Sequence, residues 1–265
     1  MNDGAIEQKL DAEFNAKVQA LTGLMPNNEI LDNDVIIDGY MKSGSTWFRN
    51  LVAGVIYGID PELVPYKLVW DLVPNYGPKR PYYKRYSSPM YFKSHDLPQP
   101  QFKRVVYLIR DGRDVMVSYF HHFKTMEGGK ESDFLKLVKG KKGLPAVCKW
   151  HRHVETWLSN PYQAQLLMIK YEDLKNNPVN ELRRFCAFAG ADRDEAFLQR
   201  IADKASFENM RQKEAEKGMG LLAWPKEKAF VRRGQIGSYK DEMPPEILEV
   251  FLRDAEDTLR KLGYL

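Results

Sequence analysis

Residues 34–57 constrain the fold more than any other stretch. Asp34-Val-Ile-Ile-Asp-Gly39 is a short β-branched run that reads as a strand. Met41–Thr46 is a loop of small residues, and Trp47–Tyr57 continues as an apolar helix. The order strand, turn, helix returns at Arg104–Ile109, which runs through a Gly-containing turn into a helix from about Asp114. Met90–Lys93 and Gln165–Ile169 supply two more strands, and Asn177-Pro178 signals the cap and first turn of a following helix. Strands that alternate with helices, several of them continuous apolar runs, belong to a parallel sheet covered on both faces. The expected fold is therefore α/β, a central parallel β-sheet flanked by helices, in one domain spanning residues 1–265. Ligands of such sheets sit beyond the carboxyl ends of the strands, which points to the loops after Tyr40, Lys93, Ile109 and Ile169.

The remaining segments are less regular. Ile6, Leu10, Phe14, Val18 and Leu21 recur near helical spacing until Gly23 and Pro26 stop that helix. Residues 60–89, rich in Pro, Tyr and Lys, read as a long loop or partial lid. A basic, Gly-containing stretch, residues 128–143, precedes a helix carrying Val147, Trp150, Val154, Trp157 and Leu158. Pro244 and Pro245 open a terminal helix with Ile247, Phe251, Leu259 and Leu262 on its inner face. Forty Lys and Arg against 36 Asp and Glu leave +4, too mild a balance for a nucleic-acid partner. The longest apolar run, Leu51–Ile59, is broken by Gly54 and Gly58 and falls short of a transmembrane segment. The N-terminus lacks the basic start and apolar stretch of a signal peptide. Two cysteines, Cys148 and Cys186, are too few for a disulfide framework or a zinc knuckle. A soluble, reduced, cytoplasmic protein is expected.

The first loop reads Tyr40-Met-Lys42-Ser43-Gly44-Ser45-Thr46-Trp47. Consecutive small residues between a strand and a helix let several backbone N–H groups converge on one anion. The helix N-terminus adds partial positive charge, and Lys42 a full one. It is not a Walker loop, because the lysine precedes the glycine and no Gly-Lys-Ser/Thr occurs anywhere in the chain.

Together with two later segments this loop resembles the cytosolic-type sulfotransferases, which use 3′-phosphoadenosine 5′-phosphosulfate (PAPS). Lys42-Ser-Gly-Ser-Thr-Trp47 is similar to the family's K-x-G-T-T-W, and Arg110-Asp-Gly-Arg-Asp114 through Ser118 to its R-N/D-x-x-D-x-x-x-S. Arg232-Arg-Gly-Gln-Ile-Gly237 is similar to its R-K-G-x-x-G. The three matches fall in the family's order over about residues 34–240. The resemblance implies that the loop is a P-loop-like phosphosulfate cradle in which Lys42, Ser43, Gly44, Ser45 and Thr46 hold the 5′-phosphosulfate. It implies that Arg110, Ser118, Arg232, Arg233 and Gly234 hold the 3′-phosphate, and that Trp47, Tyr171 and Phe207 surround the adenine. Two separated anion sites suit such a donor, and Arg matches phosphate with a planar fork. Lys93-Ser-His95 resembles the family's K-S/T-H, which implies that His95 removes the acceptor's proton while Lys42 and Lys93 stabilise the transferring group. No metal is required for that chemistry. The acceptor is a small or amphiphilic molecule with a hydroxyl or amine.

Other features carry less. The pairs His121-His122 and His151/His153 do not share a helix face, so they read as structural or surface groups, with His122 near enough the second motif to line the acceptor side. Lys136–Lys142 read as a solvated face, with an acceptor-gating loop as the other reading. Tyr66, Trp70, Tyr76, Tyr82, Tyr83, Tyr86, Tyr91 and Phe92 either wall an apolar acceptor pocket or pack the long loop. Departures from the family pattern are Met41 for Pro, Ser45 for Thr, Asp96 inserted between His95 and Pro98, and Pro244-Pro245 in place of the centre of a dimer motif, which leaves the oligomeric state open. Three alternatives stand beside sulfuryl transfer: a nucleotide-dependent phosphotransferase, a non-catalytic PAP-binding module, and dehydration through a transient sulfate ester.

Overall fold

The computed structural model describes residues 3–26, 29–77, 82–127, 133–140, 148–220, 224–225 and 227–265. In chain order the first elements are α1 (Asp3–Thr22), β1 (Leu24–Pro26), β2 (Val35–Gly39), α2 (Ser45–Tyr57), α3 (Tyr66–Leu72), β3 (Tyr82–Lys84) and β4 (Tyr91–Lys93). The middle of the chain forms β5 (Arg104–Ile109), α4 (Gly112–Glu127), α5 (Asp133–Val138), α6 (Trp150–Ser159) and β6 (Gln165–Lys170). Helices follow to the end: α7 (Tyr171–Asn176), α8 (Pro178–Ala189), α9 (Glu195–Lys204), α10 (Phe207–Lys217), α11 (Tyr239–Glu242) and α12 (Pro245–Lys261).

The central sheet has the order β4-β2-β5-β6, and every pairing in it is parallel. Val35 lies opposite both Tyr91 and Arg104, and Leu108 opposite both Gly39 and Ile169. Because side chains alternate along a strand, each strand serves two cores. Val35 and Ile37 of β2 with Val106 and Leu108 of β5 pack on Phe48, Leu51 and Val55 of α2, Phe185 of α8 and Ile201 of α9. Ile36, Val105, Tyr107 and Ile109 pack instead with Val115 and Tyr119 of α4, Trp150, Val154 and Trp157 of α6, and Phe251 and Leu259 of α12. Each of these large, fully buried side chains contributes about 1.5–3 kcal/mol through apolar burial. The continuous apolar runs of the strands thus have their physical cause in two covered faces.

From β2 the chain crosses to β4 on one side and then to β5 on the other, so the order reverses between β2 and β5. Carboxyl ends at such a reversal leave a crevice, and here that crevice lies between the loop after Gly39 and the one after Ile109.

One expectation needs correction, and two others gain detail. Residues 60–89 are not one long loop, because α3 and β3 lie inside them. Tyr66, Val69 and Leu72 are buried at helical spacing along α3, and Pro65 precedes its first turn. β3 pairs antiparallel with β1, which ties residues 24–26 to the body of the molecule. α1 forms as the spacing expects and ends before Gly23, with Phe14 60% and Leu21 86% exposed and the side chains of Ile6 and Leu10 outside the described residues. Within the basic stretch 128–143, residues 133–138 form α5, with Phe134 and Leu137 buried. Residues 128–132 and 141–147, including Val147 and part of the Lys136–Lys142 run, lie outside the described residues.

Candidate active site

The loop after β2 turns tightly before α2 begins at Ser45. Ser43 N–H donates to the Tyr40 carbonyl at 3.1 Å, and Phe48 N–H to that of Gly44 at 3.0 Å. Gly44, at the helix cap, has φ 102, which a side chain rarely adopts, and a Cβ there would stand 2.9 Å from the Tyr171 ring. Lys42 also lies in the left-handed region, at φ 72. Its ammonium sits 4.4 Å above the centre of the Phe230 ring. Burial, then the charges of Arg110 and Arg232, push its pKa down to about 8. The Ser43 hydroxyl is buried and has no hydrogen-bond partner in this structure.

A second part of the site is assembled from β5, α4 and the segment 232–238. Arg110 follows β5, donates from Nη2 to the Gln235 carbonyl at 2.8 Å, and lies 4.4 Å over the Tyr171 ring. Its Nε is buried and without a partner. Asp114, fully buried on α4, accepts from the N–H of Gly237 at 2.7 Å, from that of Tyr239 at 3.0 Å and from the Ser238 hydroxyl at 3.2 Å. That carboxylate fastens the Arg232–Gly237 motif to the Arg110–Ser118 motif, which no spacing in the sequence reveals. Gly234 (φ 59) leaves no room for a Cβ, which would stand 2.3 Å from the Phe207 ring. Arg232 and Arg233 both donate to Glu242 of α11.

Between the two parts lie the aromatic residues. Trp47 and Tyr171 meet edge to face at 5.7 Å, with the Trp47 indole N–H held by the Ala205 carbonyl at 2.7 Å. Phe207 opens α10, whose cap is Ser206.

One cavity of about 1210 Å³ runs past all of these groups and on to His95 and Lys93. Of the residues assigned to the donor and to catalysis from the sequence, Ser43 alone does not line it. His95 Nδ1 lies 2.5 Å from the Gly39 carbonyl, an acceptor, so Nδ1 carries the proton and Nε2 is the basic nitrogen of the neutral ring. Burial, and then the charge of Lys93, hold the His95 pKa well below its ordinary value.

His153 is not a surface group. It is buried on α6, takes a hydrogen bond from the Tyr107 hydroxyl at Nδ1 (2.8 Å) and donates from Nε2 to the His95 carbonyl at 3.2 Å. Trp157, one turn further along α6, donates to the Asp96 carbonyl at 3.1 Å. Burial lowers the His153 pKa to about 4 and drives that of Asp38, 3.7 Å away and fully buried, well above the carboxylate range. The His153 ring behind His95 is therefore neutral at pH 7.

The cavity also holds residues that no motif marks: Arg49, Trp70, Asn75, Tyr76, Asp96, His122 and Phe230 line it. Arg49 interrupts the apolar run 47–57, which is a signal that the sequence carries. It donates to Asn75 and to the Val73 carbonyl, and its guanidinium lies 4.1 Å over Trp70. His122 stacks on Trp224 at 5.2 Å. The aromatic run divides: Trp70 and Tyr76 reach the cavity, and Tyr66 stacks behind Trp70. Tyr83, Tyr91 and Phe92 belong to the core, and Tyr86 is half exposed.

A family model described as the sulfotransferase domain matches residues 32–263. The chain belongs to the sulfotransferase family. This sulfotransferase is 29% identical over 231 residues to sulfotransferase 1B1 of Mus musculus, covering 78% of this chain and 76% of that protein. It is 27% identical to sulfotransferase 1C2 of Homo sapiens over 235 residues, 80% of this chain and 78% of that one. The same fold occurs in a retinol dehydratase in complex with androsterone and the inactive cofactor PAP, with a TM-score of 0.67 at 21% identity over 88% of this chain and 82% of that chain. Mouse sulfotransferase SULT7A1 complexed with PAP gives a TM-score of 0.65 at 22% identity over 89% and 90%. The sulfotransferase is thus an enzyme whose donor is PAPS, and the phosphotransferase alternative gives way. The residues present fit that donor: two glycine cradles that a Cβ would fill, with the buried Ser43 hydroxyl in the first loop and the buried Arg110 Nε at the second part of the site, both without hydrogen-bond partners. Among the described residues no group of three or more His, Cys, Asp or Glu is placed to hold a metal, and no helix is long and apolar enough to cross a membrane.

Proposed function

We propose that this sulfotransferase moves the sulfuryl group of PAPS to a hydroxyl or amine of a small or amphiphilic organic acceptor, with His95 as general base. The observation that carries the reading is the hydrogen bond from His95 Nδ1 to the Gly39 carbonyl beside Lys93 in the cavity, which leaves Nε2 basic. PAPS supplies an activated sulfuryl group and PAP as its leaving group. His95 Nε2 takes the acceptor's proton as the new O–S or N–S bond forms and the bond from sulfur to the 5′-phosphate oxygen breaks, its electron pair staying on that oxygen. Lys42 and Lys93 stabilise the charge on the sulfuryl and leaving oxygens, and the low His95 pKa keeps the base neutral across the neutral range.

In this reading Lys42, Ser43, Gly44, Ser45 and Thr46 hold the 5′-phosphosulfate, Ser43 through its backbone and buried hydroxyl. Arg110, Ser118, Arg232, Arg233 and Gly234 hold the 3′-phosphate, and Trp47, Tyr171 and Phe207 hold the adenine. The relatives are named as sulfotransferases of small molecules in one case, an amine sulfotransferase of Oryctolagus cuniculus 25% identical to this chain, which supports including amines. The reading extends to one domain for the whole chain, since β1 pairs with β3, and to a cytoplasmic location, where the free thiols Cys148 and Cys186 stay reduced.

The test is mass spectrometry of a reaction containing the protein, PAPS, a chelator and a pool of phenols, alcohols, amines and lipids. A component that gains one sulfo group with wild type and not with His95→Ala supports the reading and names the acceptor class. Sulfo transfer that survives His95→Ala removes His95 as the base. PAP released without a sulfated product identifies hydrolysis or dehydration instead, and PAP binding without turnover of any pool member identifies a binding module.

A further inference from the structure

Glu242, the last residue of α11, gathers four hydrogen bonds on one carboxylate. Arg232 donates through Nη1 at 2.6 Å and Nη2 at 3.1 Å, Arg233 through Nη1 at 2.7 Å, and His121 of α4 through Nε2 at 2.8 Å. The Glu242 side chain is 15% exposed and the two arginine side chains 30% and 37%, so the cluster stands at the open rim of the cavity that both arginines line. These are the same arginines that the proposed donor reading gives to the 3′-phosphate, and the inference rests on that reading.

We propose that Glu242 is a specificity-determining residue of the donor site, whose carboxylate competes with the nucleotide's 3′-phosphate for Arg232 and Arg233, weakens PAP binding and so hastens PAP release. A carboxylate and a phosphate present the same pair of oxygens to a guanidinium fork, so the two anions use the same donors. The alternative task, holding the segment in place, already belongs to Asp114. That buried carboxylate binds the backbone N–H groups of Gly237 and Tyr239, whereas the hydrogen bonds of the Glu242 carboxylate all come from side chains. The charges of Arg232 and His121 and their hydrogen bonds outweigh burial and keep the Glu242 pKa below the usual value, so it is anionic throughout the neutral range. One carboxylate thus cancels one of the two arginine charges. Ion pairs this exposed are weak, which lets a phosphate dianion exchange with it. His121 tethers the displaced carboxylate nearby, so it stands ready to recapture the arginines.

Calorimetric binding of PAP and of adenosine 5′-phosphate to wild type and to Glu242→Gln tests this. Gln keeps the size and loses the charge. Removing one negative charge some ångströms from a dianion in a solvent-rich rim predicts PAP binding about tenfold tighter, with adenosine 5′-phosphate, which lacks the 3′-phosphate, unchanged. The PAP dissociation rate falls by a similar factor. Unchanged or weaker PAP binding overturns the proposal and makes Glu242 a residue that positions the arginines. Equal tightening of both nucleotides overturns it as well, since the effect is then not at the 3′-phosphate. Glu242→Ala serves as the second variant, with the same expected tightening, should the first fail to fold. A wild type that binds no PAP refutes the donor reading itself, an outcome distinct from wild type and variant binding PAP equally.

Discussion

The proposed donor end and the proposed acceptor end of the cavity are put together differently. At the donor end one loop follows β2 directly, and the second part joins Arg110 and α4 to segment 232–238 through Asp114, with glycines that let the backbone approach. At the acceptor end, side chains from α2, α3, the loop after it, β4 with the residues that follow it, and α4 converge, drawn from five separate stretches of chain. His95 stands where the two meet, and its main chain is held from behind by α6 through His153 and Trp157, whose partners are the successive carbonyls of His95 and Asp96. Backbone donors and fixed arginines suit a site that recognises a single ligand shape. Side chains collected one by one make a wall that can change without disturbing the donor.

If the two ends are separable, their variants should separate kinetically. His95→Ala has the largest expected effect, a fall in kcat of about 10²–10⁴-fold with the PAP Kd unchanged; a parallel loss of PAP binding would break the comparison. Asp114→Ala comes next and acts on the opposite end. It leaves three donors of segment 237–239 without their carboxylate, and removing one partner of a buried charged network costs about 3–5 kcal/mol of stability. A lower Tm and weaker PAP binding are expected together, with the remaining kcat at saturating PAPS much less affected.

The pH profile of kcat/KM sharpens the boundary. The base works only when neutral, so activity is lost as the pH falls through the His95 pKa, which burial and Lys93 hold below the ordinary histidine value. On the alkaline side activity falls as Lys42 loses its proton at about 8. Lys93→Met removes the second cause of the His95 shift and should move the acid limb upward; an unmoved limb would show that Lys93 does not act on the base. The smallest effect belongs to His153→Asn, a positioning change, for which about a tenfold lower kcat is expected from a slightly misplaced base. A loss in PAP affinity there would mean that α6 supports the donor end too.

Much of the donor end is legible in the sequence, because a strand, a glycine cradle and a helix start are local and leave their order in the chain. The acceptor end is not. Eight aromatics between Tyr66 and Phe92 look alike in sequence, yet Trp70 and Tyr76 reach the cavity while Tyr91 and Phe92, adjacent on β4, point into the two opposite cores of the sheet. Alternation on a strand whose faces are both buried hides which side a residue serves. α3 escaped a reading as helix because Pro61 and Pro65 stand beside its three buried positions, and seven residues carry too little periodicity to overrule them.

By itself the sequence determined the parallel α/β architecture, since apolar periodicity and glycine placement are properties of neighbouring residues, and it marked the two loops proposed for the donor's anions. Only the tertiary structure decided what surrounds the chemistry. It set the His95 tautomer through the Gly39 carbonyl, joined Asp114 to a segment more than a hundred positions away, and placed Glu242 on the arginines. Those are contacts between groups distant in the chain, and their geometry exists only once the sheet brings the ends of its strands side by side.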